Sequence, residues 1–198
     1  CGCRILEELG IRQDTKLEIN SLGNYDDRKN YKDALLKYLN SYKDKLSIDS
    51  INRLEKNPLR ILDSKDNDDI NIINNAPKID DYLGQNSKTI FDEIKRGLES
   101  LNIKFYLNPK LVRGLDYYGQ TTFEFTTEKL GSQGTVMAGG RYNNLMKEMG
   151  GPDLPGIGWA AGIERLMLLI QPLIDDNKLV SVIPIESKYN NIAFKLTE

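Results

Sequence analysis

The sequence predicts an α+β fold, in which an antiparallel sheet with flanking helices is interrupted by a mainly helical insertion. Three observations support this fold class. Apolar residues recur at helical spacing through much of residues 26–101, alternate at strand spacing between residues 103 and 138, and return to helical spacing from residue 160. The predicted strands are joined by loops rather than by crossover helices, which favours antiparallel pairing.

Residues 5–10 predict the end of a helix that is closed by a glycine cap. A short strand is predicted in residues 16–20. An amphipathic helix is predicted over residues 26–42 and a second over residues 90–101, for which Ser87 is the candidate cap. The apolar positions of these two helices are Tyr31, Leu35, Tyr38, Leu39 and Tyr42, then Ile90, Phe91, Ile94, Leu98 and Leu101. The charge-rich residues 63–69 between them predict a solvated loop or a helix start.

Strands are predicted in the second half where Ile103, Phe105 and Leu107 alternate, and again in residues 121–127 and 133–138. A short helix over residues 141–148 is followed by a glycine- and proline-rich loop. The next helix, over residues 160–170, has an apolar face formed by Ile163, Leu166, Met167 and Ile170. A strand over residues 180–185 and a helix over residues 188–196 are too little to bury their own apolar faces, so we expect them to begin a further domain.

Composition limits the functions that the chain can have. No apolar run approaches the roughly 20 residues that cross a bilayer, and no secretory signal opens the chain, so we expect a cytoplasmic protein without a membrane partner. Histidine is absent, and Cys1 and Cys3 have no second pair, so no metal site or disulfide framework is predicted. A net charge of −2 argues against a freestanding nucleic-acid-binding module.

Residues 111–118, Leu-Val-Arg-Gly-Leu-Asp-Tyr-Tyr, form the clearest candidate site. The segment has neither helical nor strand periodicity, and it places a planar cation, a carboxylate and two phenols within six positions. Arg113 suits phosphate chemistry, because a guanidinium makes bidentate bonds to phosphate oxygens and stays charged. A surface salt bridge is the alternative explanation of this arginine.

Three segments in the same order resemble the histidyl-tRNA synthetase family: residues 111–118, residues 138–145 (Ala-Gly-Gly-Arg-Tyr-Asn-Asn-Leu) and residues 156–166 (Gly-Ile-Gly-Trp-Ala-Ala-Gly-Ile-Glu-Arg-Leu). The resemblance implies a class II synthetase catalytic core, a helical insertion and a C-terminal anticodon-binding domain. We therefore predict a core segment at 1–25, the insertion at 26–106, the core with its histidine-specific motifs and third class II motif at 107–172, and a linker with the start of the anticodon-binding domain at 173–198.

The resemblance also assigns roles to residues. It implies that Arg113 is catalytic and contacts the α-phosphate of ATP, and that Arg165 contacts ATP. Gly158 and Gly162, taken as one helical turn apart, are candidates for admitting ATP, although close packing explains them equally well.

A histidine side-chain site is implied for Tyr117, Tyr118 and Tyr142, with Gly139 and Gly140 allowing the substrate to approach the backbone. Tyrosines supply both aromatic walls and hydrogen-bond partners to an imidazole. The alternative for Tyr117 is that it is a core residue, and the alternative for Gly139 and Gly140 is that they form a turn. Glu124 can equally bind substrate or face solvent.

The resemblance implies an ATP-dependent ligase that forms histidyl-adenylate, with Mg²⁺ on the ATP phosphates, and transfers histidine to tRNA(His). The first methionine is Met137, and the first and second class II motifs are expected before Cys1. We therefore expect the chain as given to be inactive and its full-length parent to be an active homodimer joined through that N-terminal region. The alternatives are a synthetase-like regulatory subunit of ATP phosphoribosyltransferase, a tRNA-sensing pseudo-synthetase and an α+β interaction domain.

Overall fold

A computed structural model of the protein describes residues 1–113, 117–131, 134–170 and 182–196. In this part of the chain, helices and strands are distributed as the α+β prediction requires. The helices are α1 (Gly2–Glu8), α2 (Tyr25–Asn40), α3 (Ile48–Lys56), α4 (Asn67–Ile73), α5 (Gln85–Ser100), α6 (Leu145–Glu148), α7 (Ile163–Leu169) and α8 (Asn190–Leu196). The strands are β1 (Lys16–Ser21), β2 (Tyr106–Leu107), β3 (Tyr118–Thr126), β4 (Thr135–Tyr142) and β5 (Gly156–Ala161).

The five strands form one sheet in the order β2-β1-β3-β4-β5. The β1–β3, β3–β4 and β4–β5 pairs are antiparallel, as predicted. The β1–β2 pair is parallel, with Glu18 opposite Tyr106, so the sheet is mixed at this edge, which the predicted antiparallel pairing did not include. The physical reason is the connection: β1 and β2 are separated by helices α2 to α5, and a helical crossover of this length lets the second strand run in the same direction as the first.

Two hydrophobic clusters hold the described residues together. The sheet cluster packs the apolar face of the sheet against α1, α5 and α7, and the helical cluster joins α2, α3 and α4. The sheet cluster includes Leu6, Leu17, Phe91, Phe125, Val136, Met137 and Leu166, and the helical cluster includes Tyr31, Leu35, Leu39, Leu54, Ile61 and Ile72. Because Phe91 and the partly buried Leu98 belong with the sheet, α5 packs against the sheet rather than the helical cluster, whereas the predicted insertion at 26–106 includes α5. The domain boundaries remain predictions.

A buried carboxylate joins the beginning of α2 to the beginning of α5. Asp27 accepts hydrogen bonds from the backbone N–H groups of Asn24 (3.0 Å) and Gly84 (2.9 Å) and from the hydroxyl of Ser87. Ser87 was predicted to cap α5, but Gly84 occupies the cap position and Ser87 lies within the first turn. The Ser87 hydroxyl donates to Asp27 because that buried carboxylate offers it a stronger acceptor than its own helix does.

The charge-rich residues 63–69 contain the start of α4, with Asp66 as its cap. The prediction of a helix start was therefore correct, but the expectation of a solvated segment was wrong at Asp69, which is 0% exposed. Asp69 accepts hydrogen bonds from the backbone N–H and hydroxyl of Ser47 and from the hydroxyls of Ser50 and Ser64. Four donors replace the water that an ionised carboxylate loses on burial.

Two helices in the second half begin later than predicted. The helix predicted over 141–148 begins only at Leu145, because the preceding residues continue β4. The helix predicted over 160–170 begins at Ile163, because Gly156–Ala161 forms strand β5 beside β4. On that helix Leu166 is buried as predicted, whereas Ile163 and Met167 are exposed. Pairing with β4 satisfies the backbone of residues 156–161 and overrides their helix-like apolar spacing.

At the end of the described chain, the predicted helix over 188–196 is present as α8. Of the strand predicted over 180–185, residues 180 and 181 lie outside the described residues. The remaining residues are not in a strand, and Ile183 and Ile185 are 81% and 94% exposed. A strand requires a neighbour for its backbone hydrogen bonds, and no described strand lies beside this segment.

Candidate active site

The face of the sheet opposite the sheet cluster carries the candidate site. Glu18, Glu124, Ala138 and Ala160 lie opposite one another across β1, β3, β4 and β5. In the next row on this face, Asn20 and Thr122 are followed by Gly140 and Gly158. Because alternate residues of a strand point to opposite faces, the other face carries the buried apolar side chains, such as Leu17, Phe125 and Met137. This face is therefore polar on β1 and β3, and small residues leave space above β4 and β5.

Three tyrosines predicted to bind histidine meet at one end of this face. The rings of Tyr117 and Tyr118 stack with centroids 4.8 Å apart, and Tyr142 contacts them edge-on at 5.7 and 5.8 Å. Tyr118 and Tyr142 are paired across β3 and β4. Burial and the neighbouring Tyr117 raise the pKa of Tyr118, against the opposing effect of Arg113, so its phenol is a neutral hydrogen-bonding group near pH 7.

Glycines form the floor beneath these rings. A Cβ added to Gly140 would lie 2.7 Å from the carbonyl oxygen of Thr121 and 3.0 Å from the ring of Tyr118. A Cβ added to Gly158 would lie 2.3 Å from the hydroxyl oxygen of Tyr142. Real Cβ atoms do not come within 2.7 Å of other atoms, so both glycines are required for the backbone and the tyrosines to keep these positions.

Two predicted site glycines have other surroundings. Gly139 points to the opposite face from Gly140, where an added Cβ would meet the backbone of Gly158 and Trp159 within 2.7 Å. The structure thus places Gly139 at a close strand contact rather than beside the tyrosines. Gly162 is the N-cap residue of α7, and the side chain of Arg165 lies 3.3 Å from where its Cβ would be.

Arg113 lies next to the tyrosines and is largely buried. Its Nη1 atom is 3.0 Å from Oε1 of Glu124, its Nη2 atom donates to the carbonyl oxygen of Phe123 at 2.9 Å, and its guanidinium carbon lies 5.9 Å from the centroid of the Tyr118 ring. Among the described residues, the buried Nε atom has no hydrogen-bond partner. The contacts of Nη1 and Nη2 thus orient the guanidinium. Residues 114–116 of the same motif lie outside the described residues.

The sequence did not decide whether Glu124 binds substrate or faces solvent. In the structure Glu124 is the ion-pair partner of Arg113. Its side chain is 18% exposed, and its second oxygen accepts a hydrogen bond from the hydroxyl of Thr135 at 3.0 Å. Burial raises the pKa of Glu124, while Arg113 and Thr135 oppose that rise. A cavity of about 300 Å³ next to Glu124 separates the sheet from the helical cluster and is also lined by Asp63, Lys65 and Lys110.

Arg165 lies on the other side of Thr135. Its Nη1 atom donates to the carbonyl oxygen of Thr135 at 2.6 Å. An open groove of about 560 Å³ beside it is lined by Ala138, Ala160 and Gly162, among others. Small residues under a groove with an arginine at its edge provide a flat surface and a cation, which suits a planar base attached to phosphates.

Two residues in this site were missed by sequence reasoning. Thr135 contacts Glu124, which is the partner of Arg113, and it also contacts Arg165. A threonine in a strand carries no sequence signal of such a role. Arg28, in the first turn of α2, donates from Nη1 to the carbonyl oxygen of Tyr118. It lies 90 residues from Tyr118 in sequence, and its place at the beginning of a predicted helix gave no indication of this contact.

Comparisons with known proteins agree on one family. A sequence model described as histidyl-tRNA synthetase matches residues 19–166. The histidine–tRNA ligase of Rhodospirillum rubrum is 52% identical over 169 residues, covering 85% of this chain and 41% of that protein. The histidine–tRNA ligase of Wolbachia pipientis subsp. Culex pipiens is 50% identical over 192 residues, covering 97% and 47%.

A solved structure gives the same result for the fold. The crystal structure of apo S. aureus histidyl-tRNA synthetase matches 98% of this chain and 48% of that chain, with a TM-score of 0.67 and 33% sequence identity. The chain spans about half the length of the curated relatives it matches, from 41% to 47% for the two above. Among the described residues, no helix is long and apolar enough to cross a membrane, and no cluster of three or more acidic or cysteine side chains could hold a metal ion.

Proposed function

Because the chain belongs to the histidyl-tRNA synthetase family, we propose that the protein containing it is a histidine–tRNA ligase. It would activate histidine with ATP to form histidyl-adenylate and transfer the histidyl group to tRNA(His). ATP would enter with Mg²⁺ on its phosphates as part of the substrate. A homodimer in the cytoplasm is proposed with this activity.

One observation carries the proposal: the tyrosine cluster lies directly beside Arg113, whose guanidinium carbon is 5.9 Å from the Tyr118 ring centroid. Activation joins the carboxylate of an amino acid to the α-phosphate of ATP, so a side-chain site and a phosphate-binding cation must be neighbours. Tyr117, Tyr118 and Tyr142 would surround the imidazole, with phenol groups able to donate to and accept from its nitrogens. Arg113, oriented at the edge of the tyrosine cluster, would bind the α-phosphate.

Arg165 would bind the ATP phosphates from the other side of Thr135, and the small residues of the adjacent groove would accept the adenine. Gly162 supports this assignment, because its missing side chain lets Arg165 fold closely over the start of α7. Gly158 and Gly140 act through the tyrosines above them. Gly139 would act by holding β4 close to β5.

The alternatives predict a different outcome for the same protein. A regulatory subunit of ATP phosphoribosyltransferase or a tRNA-sensing pseudo-synthetase would keep this fold without needing a phosphate-binding arginine beside an aromatic pocket. The retention of Arg113, Glu124 and all three tyrosines in contact favours the ligase.

Amino-acid-dependent exchange of pyrophosphate into ATP tests the proposed function. The full-length protein is expected to catalyse this exchange with histidine and Mg²⁺, and not when histidine is replaced by phenylalanine, which has an aromatic ring but no ring nitrogens. Charging of tRNA(His) with labelled histidine is the second measurement. A folded, dimeric full-length protein without histidine-dependent exchange would support the regulatory alternatives instead.

Gly158→Ala in the full-length protein is expected to raise the KM for histidine about tenfold. The added methyl group would meet the hydroxyl of Tyr142 at 2.3 Å, so the ring must move from its place above β5. The KM for ATP should change less, because the obstruction lies under the tyrosines. Gly97→Ala is the matched control, since an added Cβ there meets nothing within 4 Å. If the KM for ATP increased more than the KM for histidine, Gly158 would belong to the ATP site, as the family resemblance implied.

A further inference from the structure

A continuous set of hydrogen bonds connects the two arginines of the candidate site. Arg113 is paired with Oε1 of Glu124 at 3.0 Å, and Oε2 of Glu124 accepts the hydroxyl of Thr135 at 3.0 Å. The carbonyl oxygen of the same threonine accepts a hydrogen bond from Nη1 of Arg165 at 2.6 Å. The side chain of Thr135 therefore reaches Arg113 through Glu124, and its main-chain carbonyl oxygen binds Arg165.

We propose that Glu124 and Thr135 are positioning residues that fix Arg113 and Arg165 relative to each other on the sheet. This inference rests on the proposed function, in which both arginines bind the phosphates of one ATP molecule. Neither Glu124 nor Thr135 needs to touch the substrate. Both lie on strands rather than loops, so they offer the arginines a rigid reference.

The arrangement addresses a physical difficulty of such a site. Two arginines that must converge on one phosphate chain repel each other, and long side chains have many rotamers to lose when they are ordered. The carboxylate of Glu124 reduces that repulsion and orders Arg113 before ATP arrives. The hydroxyl of Thr135 in turn orders the carboxylate, because a buried carboxylate oxygen without a donor is costly. Preorganised cations contribute most to stabilising charge that develops in the transition state.

Thr135→Val in the full-length protein isolates this contribution. Valine keeps the shape of threonine and leaves the main-chain carbonyl available to Arg165, but it removes the donor to Glu124. We expect kcat for pyrophosphate exchange to fall about tenfold, with the KM for histidine unchanged. Thr135→Ser retains the hydroxyl and should restore most of the rate.

The matched control is Thr126→Val. Thr126 lies opposite Thr135 across β3 and β4, and its hydroxyl also donates to a strand glutamate, Glu18, at 3.1 Å. Glu18 contacts neither arginine in the described part of the structure, so this variant loses the same kind of hydrogen bond outside the network. Its kcat should stay within about twofold of the original protein.

The pH dependence of the rate distinguishes positioning from a merely structural role. Glu124 holds Arg113 only when ionised, and loss of the Thr135 donor raises its pKa further, so the acid limb of the pH profile should move to higher pH in Thr135→Val alone. Among the described residues, the charged groups that act on Glu124 or line its cavity are Arg113, Asp63, Glu18, Lys65 and Lys110. Neither valine variant replaces any of them, and Thr126→Val alters only the hydrogen bonding of Glu18.

Three outcomes decide the inference. A normal kcat and an unmoved acid limb in Thr135→Val would overturn it, and so would equal losses in Thr135→Val and Thr126→Val. If Thr135→Val unfolds, Glu124→Gln serves instead, since a neutral amide cannot balance Arg113, and a normal rate there would also overturn the inference. Absence of exchange in the unaltered full-length protein would instead overturn the proposed function, and this inference with it.

Discussion

Replacing Arg113 with alanine in the full-length protein is expected to lower kcat for histidine-dependent pyrophosphate exchange about a thousandfold. Attack of the histidine carboxylate on the α-phosphate spreads negative charge over phosphoryl oxygens, and Arg113 is a cation that borders the tyrosine cluster. The alanine variant lacks a positive charge at the point where the transition state gains negative charge. Arg113→Lys should recover only part of the rate, because an ammonium cannot bind Glu124 and phosphate through separate arms of a fork.

The control for this variant is Arg53→Ala. Arg53 has the same kinds of partner as Arg113, since it binds the carboxylate of Asp49 and the carbonyl oxygen of Arg60, but it lies on α3 in the helical cluster region. Its loss should leave the exchange rate within about twofold. Circular dichroism and the dimer mass would show that both variants fold. Near-normal exchange in folded Arg113→Ala would remove Arg113 from its proposed role.

The motifs identified a candidate site because they combine residue types that packing does not require. The structure brings Arg113, Tyr117 and Tyr118 from one motif together with Tyr142 from another. The connections between them could not be read from sequence. The ion pair of Arg113 with Glu124 depends on the register of β3, and the contact of Arg28 with Tyr118 depends on how α2 docks against the sheet.

The elements predicted best were those with strong local signals. Helices α2 and α5 have a regular apolar stripe, and Gly10 ends α1 with a positive φ of 69°. Strand β5 was missed because glycine-rich residues with helix-like spacing obtain their hydrogen bonds only from β4. The parallel β1–β2 pair was missed for a similar reason. Both features are set by partners distant in sequence, which a local pattern does not contain.

Asp69 is a fully buried carboxylate beside the helical cluster. Its carboxylate accepts four hydrogen bonds, which come from Ser47, Ser50 and Ser64. These serines belong to the start of α3 and to the segment before α4, so the carboxylate ties both helix starts together. The sequence disguises this role, because Asp69 lies in a run of aspartates whose other members are exposed.

Asp69→Ala is expected to destabilise the α3–α4 region by about 3 kcal/mol, which increases local opening roughly a hundredfold. The variant leaves several buried donors without an acceptor and opens a small void among them. Hydrogen exchange of residues 47–73 in the full-length protein measures the effect directly. Asp68→Ala, which removes an exposed carboxylate from the same helical turn, should change protection there by less than about threefold. Equal protection in the two variants would contradict the role given to Asp69.

The same carboxylate makes the stability of this region depend on acid pH. Burial alone would raise the pKa of Asp69, but the combined donors from Ser50, Ser64 and Ser47 outweigh it, so the pKa lies below its ordinary value of 3.8. A lowered pKa in the folded state means that the stabilisation is complete above the unfolded value and is lost as the pH falls through the folded one. Protection of residues 47–73 should therefore be constant from pH 7 to about 5 and decline below about 4. In Asp69→Asn, which has no charge to lose, the contribution of this position to that decline should be absent.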